Sequence, residues 1–464
     1  MKESKIYNKI IVFFFSFIIL IGAFLFLKPF KKTIKPNILL ITLDALRYDH
    51  LGCYGYKRDT SPNIDRIAEV GALFLNAIAQ SSHTAPCMYS ILTSAYPSEC
   101  GVASFGDQIP DNTPTLSNLL KVSGYKTGFF SSHVGIATIR GFDESFDTFY
   151  SIWTFREDLN NKSIKVTDIN PRIIKWIEKN KKEKFFLWVH YLEPHYPMNP
   201  PLAYSKLFLD YNYNTIEPKV KISDNDVFGL GGIPRRLANL NNDITDLNYY
   251  INLYDTTIRY ADDQIGELVQ YLKKMGLDNK TVIIISSDHG ESLGEHDLYF
   301  THGFQLYEGL VRVPLIIKGA APFLKKKKIA AQVQQVDIAP TILEILKIKK
   351  PLSMIGTGLM PLIKGNDDYS REYAFSFLGG DKIAVRTNEW KLIYTFNNKE
   401  YELYNLKDDP GELSNVVSAE KEKFVFLKNK MDTFVKDKKP CPEKHRVILG
   451  EDEKEKLKSL GYAQ

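Results

Sequence analysis

Several short runs of this chain are apolar almost without interruption, and that pattern narrows the possible folds more than any other feature. Asn37 to Leu43 reads NILLITL and stops at Asp44, and Thr281 to Ser287 reads TVIIISS and stops at Asp288. Lys126 to Ser131, Phe185 to His190 and Val313 to Ile317 are similar. A strand with one wet face alternates apolar and polar residues, so an uninterrupted run predicts a strand covered on both faces. Helical patterns lie between the runs, at Thr115 to Val122, Pro171 to Asn180, Asp246 to Met275 and Asp337 to Leu346. The alternation predicts an α/β fold, a doubly wound and mainly parallel sheet with helices on both faces. Such sheets bind ligands beyond the carboxyl ends of their strands, so the polar residues that end each run are the ones to weigh for chemistry.

Outside this body the texture changes twice. Ile10 to Leu27, IIVFFFSFIILIGAFLFL, carries no charge and has lysines on both sides. As a helix it would be about 27 Å long, enough to span a bilayer core, and no small-residue cleavage site follows Leu27. The expectation is an uncleaved single-pass anchor and linker over residues 1–35, with the remainder on one side of the membrane. Lysines at both ends leave the orientation open. From about residue 366 short runs separated by turn signals, Tyr373 to Phe377, Ile383 to Thr387, Lys391 to Thr395 and Tyr401 to Tyr404, predict an antiparallel meander followed by a helix over Ala419 to Val435. The expected division is therefore an anchor over 1–35, a main α/β domain over 36–365 and a C-terminal subdomain and tail over 366–464. Tyr211 to Asn242, rich in Asn, Asp and Gly, reads as a long surface excursion.

Composition excludes some classes. Sixty basic against 55 acidic residues give a formal charge of +5, much of it beside the N-terminal run, so nothing resembles a nucleic-acid footprint. Cys53, Cys87, Cys100 and Cys441 are widely spaced and contain no CxxC pair, which indicates neither a zinc ribbon nor a disulfide scaffold.

The run ends supply the candidates. Asp44 could bind a metal or cap the next turn. Asp288 and His289 could join it with a hydroxyl oxygen as a divalent-cation site of oxygen and nitrogen donors, or could simply close a turn. Thr84, followed by Ala85 and Pro86 and then a helical run, stands at or next to a helix N-cap, a routine place for threonine. The same place offers free N–H groups and partial positive charge to an anion, and a metal on the hydroxyl would make it a nucleophile. His133 follows the run ending at Ser131, and His190 and His195 lie at the end of another. Each alone reads more simply as a hydrogen-bonded structural group, whereas several on one rim make a site.

Taken together, PNILLITLDALRYDHLGCYGYKRDTSPNID, ILTSAYPSECGV, LLKVSGYKTGFF with RGFD, FFLWVHYLEPHYPMNPP, SDHGESLGEHDLYFTHGFQLYEGLVRVPLII, AVRTNEWKLIY and ELYNLKDDPGELSN resemble the sulfatase family of the alkaline phosphatase superfamily, in the family's order from about residue 36 to 415. The resemblance implies a doubly wound catalytic domain, a small C-terminal sheet subdomain and a bound divalent cation. It implies Asp44, Asp288 and His289 as metal ligands, Thr84 at the nucleophile position, and His195 and His302 as groups that meet the substrate or its leaving group, with the catalytic body outside the cytoplasm.

This chain departs from the family at informative positions. Counting back from Leu92-Thr93, Thr84 occupies the position of the residue that sulfatases oxidise to formylglycine, Cys87 that of the motif's serine and Met88 that of its arginine. Threonine cannot become formylglycine, because oxidising a secondary alcohol gives a ketone. Ala45 replaces the usual second aspartate, and His302-Gly303 stands where a lysine is common. An Asp, Thr, Asp-His set with one divalent ion (Mn, Zn, Mg or Ca) is similar to the phosphoryl-handling cousins of the family. The expected function is a metal-dependent ester hydrolase or transferase acting on phosphate mono- or diesters through Thr84, with a sulfuric-ester hydrolase and a non-catalytic membrane-tethered binding protein as the alternatives. His133 and His190 are weaker candidates for substrate contact.

Overall fold

A computed structural model describes residues 35–151, 169–208, 219–224, 229–320, 327–366 and 371–437, with Gly450 and Lys454. The N-terminal run and Cys441 lie outside the described residues, and among those described no helix is long and apolar enough to cross a membrane.

Eight strands form the main sheet: β1 (Asn37–Leu43), β2 (Ala72–Ile78), β3 (Lys126–Ser131), β4 (Thr148–Ser151), β5 (Phe185–Tyr191), β6 (Thr281–Ser287), β7 (Arg312–Lys318) and β8 (Lys327–Gln334), in the order β4-β3-β5-β1-β6-β7-β2-β8. All neighbours pair in parallel except at β7, which runs antiparallel to both β6 and β2. Every residue of β1, β5 and β6 is buried. Successive side chains of a strand point to opposite faces. Accordingly Ile38 and Leu40 pack with α2 (Thr84–Thr93), α3 (Leu116–Val122) and α6 (Ile338–Ile345), while Leu39, Ile41 and Leu43 pack with α1 (Pro62–Glu69), α4 (Asn170–Asn180) and α5 (Leu247–Lys274). This two-sided burial is why the strands read as continuous apolar runs.

Helix starts follow capping chemistry. Thr115 Oγ1 accepts from Asn118 N at 3.2 Å before α3, and Asp246 Oδ1 accepts from Asn248 N at 2.8 Å before α5. Three strands escaped the sequence reading. β4 has four residues at a sheet edge, β8 (KKIAAQVQ) lies at the other edge with a mixed polar pattern, and β2 (ALFLNAI) follows α1 after a two-residue turn. The Tyr211 to Asn242 reading needs correction in its described part, where Ile233, Leu237 and Ala238 are buried. Ile233 N donates to Lys221 O at 3.0 Å and Gly231 N to Asp297 O at 2.8 Å, which ties this segment to the loop leading to His302.

A second, antiparallel sheet orders β9 (Ala374–Leu378), β10 (Lys382–Arg386), β11 (Trp390–Thr395) and β12 (Glu400–Asn405) as β12-β11-β10-β9. Leu427 and Met431 of α7 (Lys421–Asp437) pack on Val385, Leu392 and Leu403 of this sheet. It is joined to the main body by Phe377 N donating to Gln80 O at 2.8 Å and by a buried ionic cluster. Glu308 meets Arg386 at 2.8 Å and Lys391 at 3.3 Å, and Lys391 meets Glu412 at 3.0 Å. Burial alone would raise the Glu308 pKa, but Arg386 and Lys391 outweigh it and hold the carboxyl well below the ordinary range.

A depressed carboxylate stabilises the fold above its unfolded-state pKa, about 4.3 for glutamate, and that contribution is lost as pH falls towards the folded-state value. Breaking a buried pair from one side leaves an uncompensated charge. Arg386→Met is therefore expected to cost about 3–5 kcal/mol in urea unfolding at pH 7. The wild type should lose part of its advantage over the variant as the titration is repeated below pH 4.

Candidate active site

β1 and β6 are adjacent and in register, with Leu43 opposite Ser287, so the residues that follow them emerge side by side. Those residues are Asp44 and the pair Asp288-His289, and donor atoms of all three lie within 4.8 Å of one another in a fully buried position. Local bonds fix the arrangement. Asp288 Oδ1 accepts from Ala45 N at 3.1 Å and from His289 N at 2.8 Å, Ser287 Oγ donates to Leu43 O at 2.7 Å, and Gln335 Nε2 donates to the carbonyls of Ser287 and Asp288 at 2.6 Å each. Ala45 carries φ of +58°, so the turn after Asp44 is sharp and brings its own N–H back towards Asp288.

The helix α2 delivers the hydroxyl. His83 is its N-cap and Thr84 its first helical residue, one position further in than a cap. Thr84 is fully buried, and its Oγ1 lies 3.1 Å from His289 Nε2. Cys87 stands elsewhere, its thiol donating to Ser81 O at 3.2 Å and pushed well up in pKa by burial and then by Asp288.

Hydrogen-bond direction assigns the ring nitrogens. His289 Nδ1 faces Gly290 O at 2.8 Å and His195 Nδ1 faces Tyr196 O at 2.8 Å. A carbonyl only accepts, so each Nδ1 carries the hydrogen and each Nε2 presents a lone pair. His133 is the opposite case: Gly135 N donates to its Nδ1 at 2.9 Å, so the hydrogen is on Nε2, which faces Asp44 Oδ2 at 3.3 Å. His190 Nδ1 pairs with Thr42 Oγ1 at 2.8 Å, and its Nε2 lies 3.6 Å from Asp44 Oδ2. His302 turns Nδ1 to Glu291 at 3.2 Å, and its ring lies 4.4 Å from that of His289, tilted, and 5.0 Å from that of His195, edge-on. Burial, reinforced by neighbouring imidazoles, lowers His83, His195, His289 and His302 to about 3. Burial also lowers His190, to about 4. Burial raises Glu291 to about 7.

All eight residues singled out from the sequence thus fall in one buried neighbourhood: Asp44, Thr84, Asp288 and His289 together, His133 and His190 against Asp44, and His195 and His302 beside each other. Three further groups belong to it. His83 sits within electrostatic reach of His289 and His195, Glu291 holds His302, and Gln335 holds the end of β6. Glu291 lies two residues beyond His289, whereas Gln335 follows β8 and had no local signal.

The donor set fits a divalent cation. Neither oxygen of Asp44 accepts a hydrogen bond although the residue is fully buried. Burial first, and then the charges of Asp288, Glu291 and Glu193, raise its pKa well above the ordinary value. A dry carboxylate without a hydrogen bond is costly, and a cation among two carboxylates and an imidazole lone pair removes that cost.

A carboxylate and imidazole cluster at the carboxyl ends of a mainly parallel sheet, with a hydroxyl on a helix N-terminus beside it, fits the alkaline phosphatase superfamily. Within it, the sulfatase family description matches residues 36–348, and that of the N-sulphoglucosamine sulphohydrolase C-terminal region matches residues 294–438. This chain belongs to the sulfatase family. It is 25% identical to an N-acetylglucosamine-6-O-sulfatase of Bacteroides thetaiotaomicron, over 91% of this chain and 90% of the relative. It is 27% identical to an arylsulfatase of Clostridium perfringens, over 85% and 93% respectively. A solved phosphonate monoester hydrolase of Agrobacterium radiobacter shares the fold with a TM-score of 0.69 at 20% identity, covering 86% of this chain and 95% of that one.

Outer groups that orient a ligand carboxylate tune metal affinity. Replacing His133 by Phe removes the N–H that faces Asp44. Isothermal titration with manganese is expected to give an affinity about 10–100-fold weaker than wild type.

Proposed function

We propose that the chain is a metal-dependent ester hydrolase or transferase in which Thr84 is the nucleophile, acting on phosphate mono- or diesters. The observation that carries this reading is the Thr84 hydroxyl 3.1 Å from His289 Nε2, at the edge of the buried Asp44, Asp288 and His289 group. Asp44, Asp288 and His289 would hold one divalent cation with Thr84 Oγ1. When bound, such an ion supplies positive charge beside the reacting oxygens and favours the ionised hydroxyl. The chain's own residues do the rest. Thr84 Oγ1 gives up its hydrogen and attacks phosphorus in line, the bond from phosphorus to the ester oxygen breaks, that oxygen leaves as an alcohol on taking up a hydrogen, and a phosphothreonine forms that water or an acceptor alcohol resolves. His195 and His302 flank the position where those oxygens come and go.

Substitution supports phosphate over sulfate. Threonine cannot provide the aldehyde hydrate of a sulfatase, Ala45 stands for the second aspartate, and a buried Met88 occupies the arginine position. Sulfate-ester hydrolysis is the second reading, favoured by relatives named as sulfatases, among them a choline-sulfatase of Rhizobium meliloti that is 26% identical over 82% of both chains. A non-catalytic binding role is the weakest, since every proposed ligand is present and assembled. The apolar run Ile10 to Leu27 is proposed to anchor the chain in a membrane, with the catalytic body outside the cytoplasm.

Thr84→Ala is expected to lower turnover of the best ester by at least about a thousandfold in a panel of aryl sulfate, phosphate monoester and phosphodiester. Wild-type activity in that variant on every ester would overturn the proposal. For the cation, unfolding in the presence of manganese, zinc, magnesium or calcium at a hundredfold excess over its Kd should show about 2.7 kcal/mol of added stability. In Asp44→Ala the same ion should add little.

A further inference from the structure

His195 and His302 lie beside each other next to His289, and the structure distinguishes them by what holds each ring. His195 is held by a neutral carbonyl, that of Tyr196, whereas His302 is held by the carboxylate of Glu291, whose two oxygens lie 3.3 and 3.2 Å from Nδ1. Glu291 itself is set rigidly. It is 2% exposed, its Oε1 accepts from Ser292 N at 3.1 Å, and its carbonyl accepts from Arg47 Nη1 at 3.2 Å. Arg47 is in turn pinned by Asp49 and Glu295, each at 2.7 Å. The preceding Gly290 donates its N–H to Leu310 O at 2.8 Å, and a Cβ there would come within 2.0 Å of Gly309 O, so only glycine fits at this close approach. Phe300 N donates to Ser292 O at 2.7 Å, folding the loop so that His302 returns over Glu291.

On the reading proposed above, we infer that Glu291 is a positioning residue which holds His302 through Nδ1 so that its Nε2 meets the incoming hydroxyl in the resolving step. The ring lies 4.4 Å from that of His289, whose Nε2 is the neighbour of Thr84 Oγ1. A carboxylate accepting the Nδ1 hydrogen leaves a lone pair at Nε2, and that atom can take a hydrogen from water or an alcohol and then hand it on. In the step, the incoming oxygen bonds to phosphorus as the bond from phosphorus to Thr84 Oγ1 breaks. The hydrogen of the incoming hydroxyl moves to Nε2 and from there to Oγ1, restoring the threonine.

The test separates the two half-reactions. Wild type, Glu291→Ala, Glu291→Gln, His302→Ala and the double variant Glu291→Ala/His302→Ala are quenched during steady-state turnover of the best ester, and the peptide containing Thr84 is weighed. Glu291→Ala should lower kcat about a hundredfold, the scale of a lost proton-transfer partner, and raise the fraction of Thr84 carrying the transferred group. His302→Ala should do the same and the double variant should lose no more than either alone. Glu291→Gln, whose amide oxygen still accepts the Nδ1 hydrogen, should recover most of the rate. Equal occupancy of Thr84 in Glu291→Ala and wild type, additive losses, or a Gln variant as slow as Ala would each overturn the inference. Failure of the parent reading is a different result, namely a fully active Thr84→Ala and no mass change on Thr84 in any protein. Should Glu291→Ala not fold, Glu291→Gln and His302→Ala carry the comparison.

Discussion

The structure depends on one constraint, the register of β1 against β6, which sets two carboxylates beside each other where water does not reach. Leu43 stands opposite Ser287, so Asp44 and Asp288 leave their strands together. Like charges in a dry site raise each other's pKa and destabilise the ionised pair. The fold tolerates the arrangement because fully buried apolar strands surround it, and because Ala45 N and His289 N donate to Asp288 while the Gln335 amide holds the carbonyls at the end of β6. A site of this kind costs stability in its own right.

Around the carboxylates the chain has arranged imidazoles by their hydrogen-bond direction. Rings tied to carbonyls, His289 and His195, offer lone pairs, while His133, tied to a backbone N–H, carries its hydrogen on Nε2, 3.3 Å from Asp44 Oδ2 but not in a hydrogen bond to it. One residue type therefore presents a lone pair or a hydrogen according to the atom behind it. Burial keeps these rings neutral, so direction counts for more than charge.

The C-terminal sheet takes part in the same organisation. Glu308, clamped by Arg386 and Lys391, adjoins Gly309 and Leu310, which pack on and bond to Gly290 in the turn between His289 and Glu291. A subdomain that carries none of the proposed ligands thus borders the turn that aims two of the site's residues.

Much of this was legible beforehand. Short uninterrupted apolar runs announced β1, β3, β5, β6 and β7, because strands covered on both faces have that pattern. Asp44, Asp288 and His289 were visible as the polar residues ending such runs, and Thr84 as the start of a helix. β2, β4 and β8 were not, since two are edge strands without full burial and β2 has no turn signal of its own. His83 had no pattern to mark it, and Gln335 follows a strand that was itself hidden.

The sequence by itself determined the layered α/β plan, the alternation of elements and the identity of the residues at the strand ends, because burial on two faces and helix starts are local properties of the chain. Tertiary structure alone decided which strand ends are neighbours, which nitrogen of each histidine faces inward and which carboxylate holds His302. Strand order is set by pairing between residues such as Ile38 and Val282, far apart in sequence. A ring's hydrogen goes where a partner from its surroundings directs it, and that partner is known only once the chain has folded.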